Sequence, residues 1–405
     1  MKSAEIVIVG AGIAGASAAY FLARLGLPDI IILEKEETAG YHATGRSAAA
    51  LARLSADEVF MRLSLMSTPF LRSPPEGFSQ SPLLEPNGSL TVGAGTRFRL
   101  FRLYCRLAKR VGIASRPLSA FEARQRVPAL EPALIDGGVF LPEDGLLDVH
   151  ALLWGFLNGA QRLGAQVIFE SEAQEIEVRN GSVHSVVSTR GRIRCRSLVN
   201  AAGAWANRVA ALAGAPQLPL TPCRRHIVVA RPAPGSQVGD WPMTYDLSRR
   251  FYFRPEPGGI LASPMDQDPM EPCDARTDEL RIAETADLLC RYTPSIAPSR
   301  IVRSWAGLRT LTVDRAPVVG EDPRVGGFFW LAGQGGHGIH TSPALGMIAA
   351  QLVARRTTEL LDPRILSPRR FLRGARTYPT IASRRILHLA RWLLDPDRVP
   401  RCGSW

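Results

Sequence analysis

The apolar positions of this chain fall into two rhythms. At the N-terminus, the run from Glu5 to Val9 (EIVIV) favours strand, Ala16 to Leu25 carries helical spacing, and Asp29 to Leu33 (DIIIL) is a second strand, apolar from Ile30 on. Strands apolar at successive positions are buried on both faces, as in a parallel sheet, so the opening predicts strand, helix, strand. The same rhythm returns in DVHALLWGFLNGAQRLG as a helix, AQVIFESEAQEIEV as strands, and SLVNAAGAWANRVAALAG (197–214) as strand, turn and helix. It returns again near the end, where a strand from Gly327 to Ala332 precedes a helix from about Ser342 to Ala354. Two stretches break it. From about Leu84 to Pro142 the pattern gives a strand, GSLTVG, and a basic amphipathic helix, RFRLFRLYCRLAKRVG. From about Pro222 to Asp314 it gives alternating strands in RRHIVVARP, FYFRPEPGGILASP and RIVRSWAGLRTLTVD, with imperfect alternation in HIVVA. A further helix is expected around Ala48 to Leu54. The pattern predicts an α/β protein: a discontinuous nucleotide-binding domain of residues 1–84, 144–221 and 315–360, and a mostly antiparallel substrate domain of residues 85–143 and 222–314.

Glycines sit at the seams of this pattern. Gly10, Gly12 and Gly15 follow the first strand in G-x-G-x-x-G spacing, and Glu34 ends the second strand. In a dinucleotide site Gly10 permits the tight turn, Gly12 lets backbone N–H groups reach a pyrophosphate, and Gly15 lets helix and strand pack closely. Glu34 would accept hydrogen bonds from a ribose diol and repel a 2′-phosphate, which disfavours NADP. This loop alone leaves NAD and FAD open. GYHATGRSAAAL (40–51) offers Gly40, Thr44, Gly45 and Ser47 as donors to a longer cofactor and Arg46 as an offset to phosphate charge; its alternative reading is a plain polar loop. The turn Ala201, Ala202, Gly203 is small enough for a nucleotide to lie against. LAGQGGHGIHTSPALG (331–346) then delivers Gly333, Gln334, Gly335, Gly336 and Gly338 to a second helix, whose free N–H groups are expected to form an anion-friendly end. Two glycine loops at two helix starts fit a cofactor with two ends. FAD is such a cofactor, its pyrophosphate at the first loop and its ribityl chain and flavin O2/N1 edge at the last.

Composition narrows the class. At 405 residues, with 46% hydrophobic and 21% charged residues, the chain suits a globular protein of about two domains. It has no apolar run of transmembrane length and no secretion signal at its start, so a cytoplasmic protein is expected. Its six cysteines have neither metal-knuckle nor redox-pair spacing and read as free thiols, and no metal site is expected. The net charge is +12, but residues 355–405 hold twelve Arg against four Asp or Glu, so +8 of it lies in the C-terminal extension, 361–405 and its approach. The body is only mildly basic, and a nucleic-acid partner is not indicated. Within the extension, residues 381–394 form an amphipathic pattern with Arg384, Arg385, His388 and Arg391 on one side. Packing on its own domain is the preferred reading; peripheral contact with an anionic membrane, where quinone is available, is the alternative.

The segments IVIVGAGIAGASAAYFLARLG, YHATGRSAA, EDGLLDVHAL, LVNAAGAWA, SWAGLRTLTVDRAPVVG and LAGQGGHGIHTSPALG, in this order, resemble the D-amino acid oxidase (DAO) superfamily of flavoproteins. GYHATGRSAA, PPEGFSQSPLL, DWPM, FYFRP and SWAGLR are most similar to its D-arginine dehydrogenase type. The resemblance, over about residues 4–370, implies a glutathione-reductase-like fold with a Rossmann-like FAD-binding domain and FAD as cofactor. It adds Ala14, Lys35, His42, Ala173, Trp205 and Ile339 to Gly10, Gly12, Gly15, Glu34, Thr44, Gly45, Ser47, Ala202, Gly203, Gly335, Gly336 and Gly338 as cofactor contacts.

It also implies the reaction: hydride transfer from the Cα of an amino acid to flavin N5, giving an imino acid that hydrolyses to a 2-oxo acid and ammonia. Arg309 in WAGLRT matches the family's carboxylate-clamping arginine, Tyr252 in FYFRP the tyrosine that assists it, and Arg225 in CRRHI an arginine lining the site. Departures bear on the substrate. The D-arginine dehydrogenase pattern has a histidine and a tyrosine where Ala50 and Ser55 stand, a glutamate for a basic side chain where Ser89 stands, and a tyrosine where His337 stands, which makes His337 a candidate catalytic residue facing flavin or substrate, with an exposed loop histidine as the alternative reading. Losing that glutamate removes the reason to prefer arginine or lysine. Some relatives attach FAD through a cysteine near the GLRT segment; Gly307 is there in this chain, so non-covalent FAD is expected. The expected function is oxidative deamination of an amino acid, a D-amino acid by resemblance, with O2 or quinone as electron acceptor. The alternatives are oxidation of glycine, sarcosine or another secondary amine, and a catalytically silent, membrane-associated flavin-binding protein.

Overall fold

The computed structural model describes residues 2–372 apart from 56, 237, 247, 248 and 359, so the amphipathic pattern at 381–394 lies outside the described residues. Its nucleotide-binding part is a six-stranded sheet in the order Gln166–Ile168, Ile30–Leu33, Ile6–Val9, Ser197–Asn200, Phe328–Ala332 and Val318–Glu321. The first five strands are parallel and the last is an antiparallel edge. Continuous apolar runs were required because both faces are covered. Ile6, Ile8, Ile30 and Ile32 pack with Phe21, Phe156 and Ile348, from the helices Ile13–Arg24, Val149–Arg162 and Ser342–Val353. The alternate residues Val7, Val9, Ile31 and Leu33 face Val209 and Ala210 of the helix Ala206–Leu212 and a smaller sheet carrying Ile176, Val186 and Ile193. This is the Rossmann-like α/β arrangement expected.

The second sheet has nine strands and is mostly antiparallel. It includes strands from both non-Rossmann stretches, joined where Met243–Asp246 pairs in parallel with Ser89–Gly93. Its longest ladder aligns Leu220–Arg231 with Arg300–Thr312, placing Cys223 opposite Arg309 and Arg225 opposite Gly307. Arg225 to Ala230 are all buried, which accounts for the imperfect alternation of HIVVA: this strand is covered on both faces.

One local expectation fails. Residues 48–54 form no helix; Ala50–Leu51 is a short strand paired with Gly145–Leu147, and the helix starts later, at Glu58–Arg72. The stretch before Asp314 also holds a helix, Glu279–Tyr292, begun by the Asp278 carboxylate accepting the Leu280 N–H. Its polar composition masked a narrow apolar stripe through Leu289 and Tyr292.

The helices Ile13–Arg24 and Ser342–Val353 approach each other at Gly346. A Cβ there would lie 2.7 Å from Ser17 Cβ and 2.8 Å from the Ser17 carbonyl carbon. In an open helix Gly→Ala gains about 1 kcal/mol. Here the sign reverses, because the helices under the cofactor loop must move apart: Gly346→Ala is expected to lose about 1–3 kcal/mol, measured by urea unfolding. Unchanged or raised stability would show that the contact relaxes freely.

Candidate active site

The open ends of the two sheets enclose a long cleft of about 1800 Å³, mouth included. One part of its wall is the first glycine loop. Gly10 turns at φ +105°, where a Cβ would lie 2.6 Å from the Ala201 carbonyl oxygen, so the loop closes only with glycine. Gly10, Gly12, Ile13 and Ala14 line the cleft at the helix start. The Ile13 N–H is held by Thr44 Oγ1 at 3.0 Å, a side chain from the loop after Glu34. Glu34 lines the cleft with both carboxylate oxygens engaged, accepting from Ala11 N–H at 2.7 Å and Glu36 N–H at 3.1 Å. Burial raises its pKa, and those two backbone donors oppose the rise. Lys35 Nζ stands 3.7 Å from the Trp205 ring centroid, and the His42 ring is 4.5 Å from the same indole. Glu36 holds His42 Nε2 at 2.7 Å. Burial, ahead of the neighbouring cations, keeps His42 below its ordinary pKa.

Ser47, Ala173, Ala202, Gly203, Gly335, Gly336, Gly338 and Ile339 complete the expected cofactor residues that line this cleft. Gly15 and Gly45 do not line it. A Cβ on Gly15 would lie 1.9 Å from Gly10 O, and one on Gly45 2.8 Å from Gly40 O, so both serve the backbone crossings behind the wall. Arg46 lines the cleft but does not stand free for phosphate. Its guanidinium donates to the carbonyls of Ala306 at 3.0 Å and Ala275 at 3.2 Å and pairs with Asp274, stitching the loop to the second sheet. The helix Ser342–Val353 is not the anion-friendly end expected either. Pro343 has no N–H, the Ala344 N–H goes to Ser67 Oγ at 3.1 Å, and the Ser342 N–H goes to Ile339 O. What meets the cleft is the loop before that helix, anchored where Gly335 N–H donates to Thr310 O at 2.9 Å.

A second cavity abuts the first, and Ser47, Arg225, Arg309, Gly336 and Ile339 line both. All four expected catalytic residues, Arg309, Tyr252, Arg225 and His337, line this second cavity. Arg309 donates only to the Gly336 carbonyl, at 3.3 Å, and has no carboxylate partner among the described residues. Arg225 is buried and donates to the Asp266 carbonyl at 2.6 Å. Burial, then the charge of Arg309, brings its pKa down to about 10. Tyr252 Oη is buried with no partner, a donor in reserve at the cavity wall.

His337 stacks on Phe60 with ring centroids 4.3 Å apart and contacts a histidine that the sequence reading passed over. His340 Nδ1 lies 3.2 Å from the Ala50 carbonyl, and its Nε2 lies 3.3 Å from His337 Nδ1. A carbonyl only accepts, so His340 carries its proton on Nδ1 and accepts on Nε2 from His337 Nδ1–H. His337 Nε2 is left as an acceptor. Burial lowers both pKa values, that of His340 to about 4 and that of His337 well below the usual 6.5, where the neighbouring His340, Arg309 and Arg225 act in the same direction. The GHGIH spacing held the clue to the pair.

Of the departures, Ala50 lines the second cavity and Ser55 does not; the Ser55 hydroxyl accepts from Asp57 N–H. Ser89 is buried away from both cavities and donates to Asp144 Oδ2 at 2.8 Å, while Arg53 holds Asp144 and Glu143.

With this geometry in view, comparison with known proteins is decisive for the family. The profile of the DAO family, described as FAD dependent oxidoreductase, matches residues 5–352. The chain belongs to the DAO family. FAD is therefore its cofactor, and the cradle fits: small-residue turns at Gly10 and Ala201–Gly203, a buried acid at Glu34 and a glycine loop at 335–338 line one continuous cleft. The DAO chain is 26% identical over 362 residues to the mitochondrial pyruvate dehydrogenase phosphatase regulatory subunit of Mus musculus, covering 86% of itself and 41% of that protein. It is 25% identical over 363 residues to the sarcosine oxidase subunit beta of Rhizobium meliloti (strain 1021), covering 87% and 84%. Among solved structures, L-proline dehydrogenase from P. horikoshii superposes with a TM-score of 0.82 at 24% identity, covering 92% of this chain and 99% of that one. Thus the chain spans less than half of the mouse protein, and these three relatives carry names other than D-arginine dehydrogenase.

The histidine pair makes stability depend on pH. His340 is neutral when folded and protonates near 6.5 when unfolded, so the unfolded state binds the extra proton between about 6.5 and 4. Stability is expected to be full above 6.5 and to fall by roughly 2–3 kcal/mol on acidification to about 4. His340→Asn should flatten much of that slope in denaturant titrations at successive pH values; an unchanged slope would assign it to other groups.

Proposed function

We propose that this protein oxidises the C–N bond of a small carboxylate-bearing amine, a glycine or N-alkyl amino acid rather than a basic D-amino acid. The observation that carries this reading is Arg309, a guanidinium without a carboxylate partner among the described residues, at the seam between the cofactor cleft and a second cavity. A planar two-pronged donor there suits a substrate carboxylate and would fix the adjacent carbon against the cleft. FAD, when bound, supplies the hydride acceptor for that carbon. Tyr252 Oη offers the carboxylate a further donor. His337 Nε2, left as an acceptor because Nδ1–H is committed to His340, can accept an N–H of an amine that enters as the free base, its proton already lost to solvent, and so orient the nitrogen lone pair. Apolar walls at Phe60, Met243 and Leu311 exclude water from the reacting centre.

The D-arginine dehydrogenase reading loses support from charge. The described lining of the second cavity holds Arg225, Arg309 and Arg315 against one carboxylate, Asp57. A basic side chain would add to that excess. The sarcosine oxidase subunit and the L-proline dehydrogenase carry the names of secondary amines, which favours the N-alkyl reading. The D-amino acid and glycine readings share the same clamp and differ in the Cα substituent.

The test is anaerobic reduction of the purified yellow protein. Loss of the oxidised flavin band is expected with glycine, sarcosine or another N-alkyl amino acid, and D/L pairs in the same panel report stereochemistry. Admitting air then separates oxidase from quinone-linked dehydrogenase. Arg309→Met should lower kcat/KM on the order of 10²–10³-fold, the loss of a charge-assisted pair. A flavin that dithionite reduces but no amine does would overturn the reading.

Non-covalent FAD is a separate expectation. The thiol lining the cleft is Cys273, while Gly307 stands on the GLRT strand with Arg46 Cβ 3.2 Å from where its own Cβ would be. Acid precipitation should leave all flavin in the supernatant; colour retained in the pellet would show a covalent link.

A further inference from the structure

The second cavity holds one cation that a simple amino acid does not use. Arg315 lines it, in the turn after the strand that carries Arg309. Its backbone adopts φ +64°, a left-handed conformation unfavourable for a long side chain, and its surroundings impose it. Arg315 N–H donates to Thr312 O at 3.1 Å, Thr312 Oγ1 donates to Ala316 O at 2.7 Å, and Asp314 Oδ1 accepts the Ala316 N–H at 3.2 Å.

The acids around this turn are each committed elsewhere. Asp314 pairs with Arg370 at 2.7 Å. Asp268 takes two donors of Arg281, at 2.9 and 3.1 Å. Asp266 accepts from His226 Nδ1 at 2.7 Å and from His226 N–H at 2.9 Å. Because Asp278 N–H donates to His226 Nε2 at 2.9 Å, the His226 proton lies on Nδ1 and the Asp266 interaction is fixed. Arg315 is left with a neutral acceptor, Gln267 Oε1 at 3.3 Å, and no ion pair among the described residues. Two guanidiniums without carboxylate partners therefore line one cavity, Arg309 at the cofactor end and Arg315 beside Gln267. One substrate carboxylate satisfies only one of them.

We infer that the substrate carries a second carboxylate, held by Arg315 while Arg309 holds the first: a small amino- or iminodicarboxylate. This rests on the amine-oxidation reading above and narrows its substrate class. Gln267 turns its amide to either partner, so the pocket is polar at the Arg315 end without being acidic. The second carboxylate acts in binding only; the atoms oxidised are those next to Arg309 and His337.

The experiment compares matched pairs on the flavin-loaded full chain: N-(carboxymethyl)glycine with sarcosine, and D- and L-aspartate and glutamate with D- and L-alanine. The dicarboxylates are expected to reduce the flavin with kcat/KM at least about tenfold above their partners, as a desolvated charge pair allows. Arg315→Asn, whose side chain tolerates the left-handed backbone, should remove that advantage through KM and leave the monocarboxylates within about threefold. Arg315→Lys should restore part of it, which separates charge from folding. A second arm needs no turnover: succinate and glutarate should perturb the flavin spectrum at lower concentration than acetate, and Arg315→Asn should abolish the difference. If monocarboxylates are preferred and Arg315→Asn changes neither arm, the inference is overturned while amine oxidation stands. If no amine reduces the flavin yet dicarboxylates bind through Arg315, the activity reading fails and the site stands.

Discussion

The site depends on one ladder, the antiparallel pairing of Leu220–Arg231 with Arg300–Thr312. Side chains of a strand alternate between faces, so the register that sets Cys223 opposite Arg309 puts Arg225, two residues on, toward the same face as Arg309. A slip of one residue between the two strands would put the two guanidiniums on opposite faces of the sheet. The same ladder puts Gly307 opposite Arg225, and the missing side chain leaves room for Arg46 to cross and bind the Ala306 carbonyl. At its far end Thr310 O receives the Gly335 N–H, tying the second sheet to the loop that closes the cofactor cleft. The two sheets are thus registered against each other by hydrogen bonds at the place where cofactor and substrate must meet.

Charge around that ladder is distributed unevenly. Asp57 lines the second cavity, and three other carboxylates near it are engaged mainly by groups outside it: Asp266 by His226, with Arg225 at 3.9 Å, Asp268 by Arg281, and Asp314 by Arg370. Arg309 and Arg315 keep their charge unmatched. Burying a cation beside another is unfavourable, and the lowered pKa of Arg225 records it. The histidines follow the same field. A proton on His337 would add a further positive charge beside Arg225 and Arg309, so burial and these neighbours keep it neutral, a hydrogen-bond acceptor rather than a cation.

Much of the cofactor side was legible because its chemistry is backbone chemistry. Gly10, Gly12 and Glu34 are bound to a strand–turn–helix unit that periodicity reveals, and they line the cleft where that unit requires. Gly15 was readable as a packing glycine for the same reason. Arg46 was misread because its partners, Ala275 and Ala306, lie more than two hundred residues away, and no local pattern announces them. The second helix end was misread because Ser67, its capping side chain, comes from a helix placed too early in the sequence reading. Substrate-side residues such as His340 and Arg315 left only faint marks, since a single polar residue at a turn looks the same whether it meets solvent or a cavity.

These features make the ligand part of the fold's electrostatic balance. Repulsion between Arg225 and Arg309, second to burial in lowering the Arg225 pKa, acts beside a space walled by Phe60, Met243 and Leu311, where water screens charges less than at an open surface. On the function proposed above, an anionic substrate would relieve that repulsion on entry. Binding therefore gains twice, from the new charge-assisted hydrogen bonds and from the repulsion they cancel. A cationic ligand gains neither, which is how a cavity without a dedicated selectivity gate can still discriminate by charge.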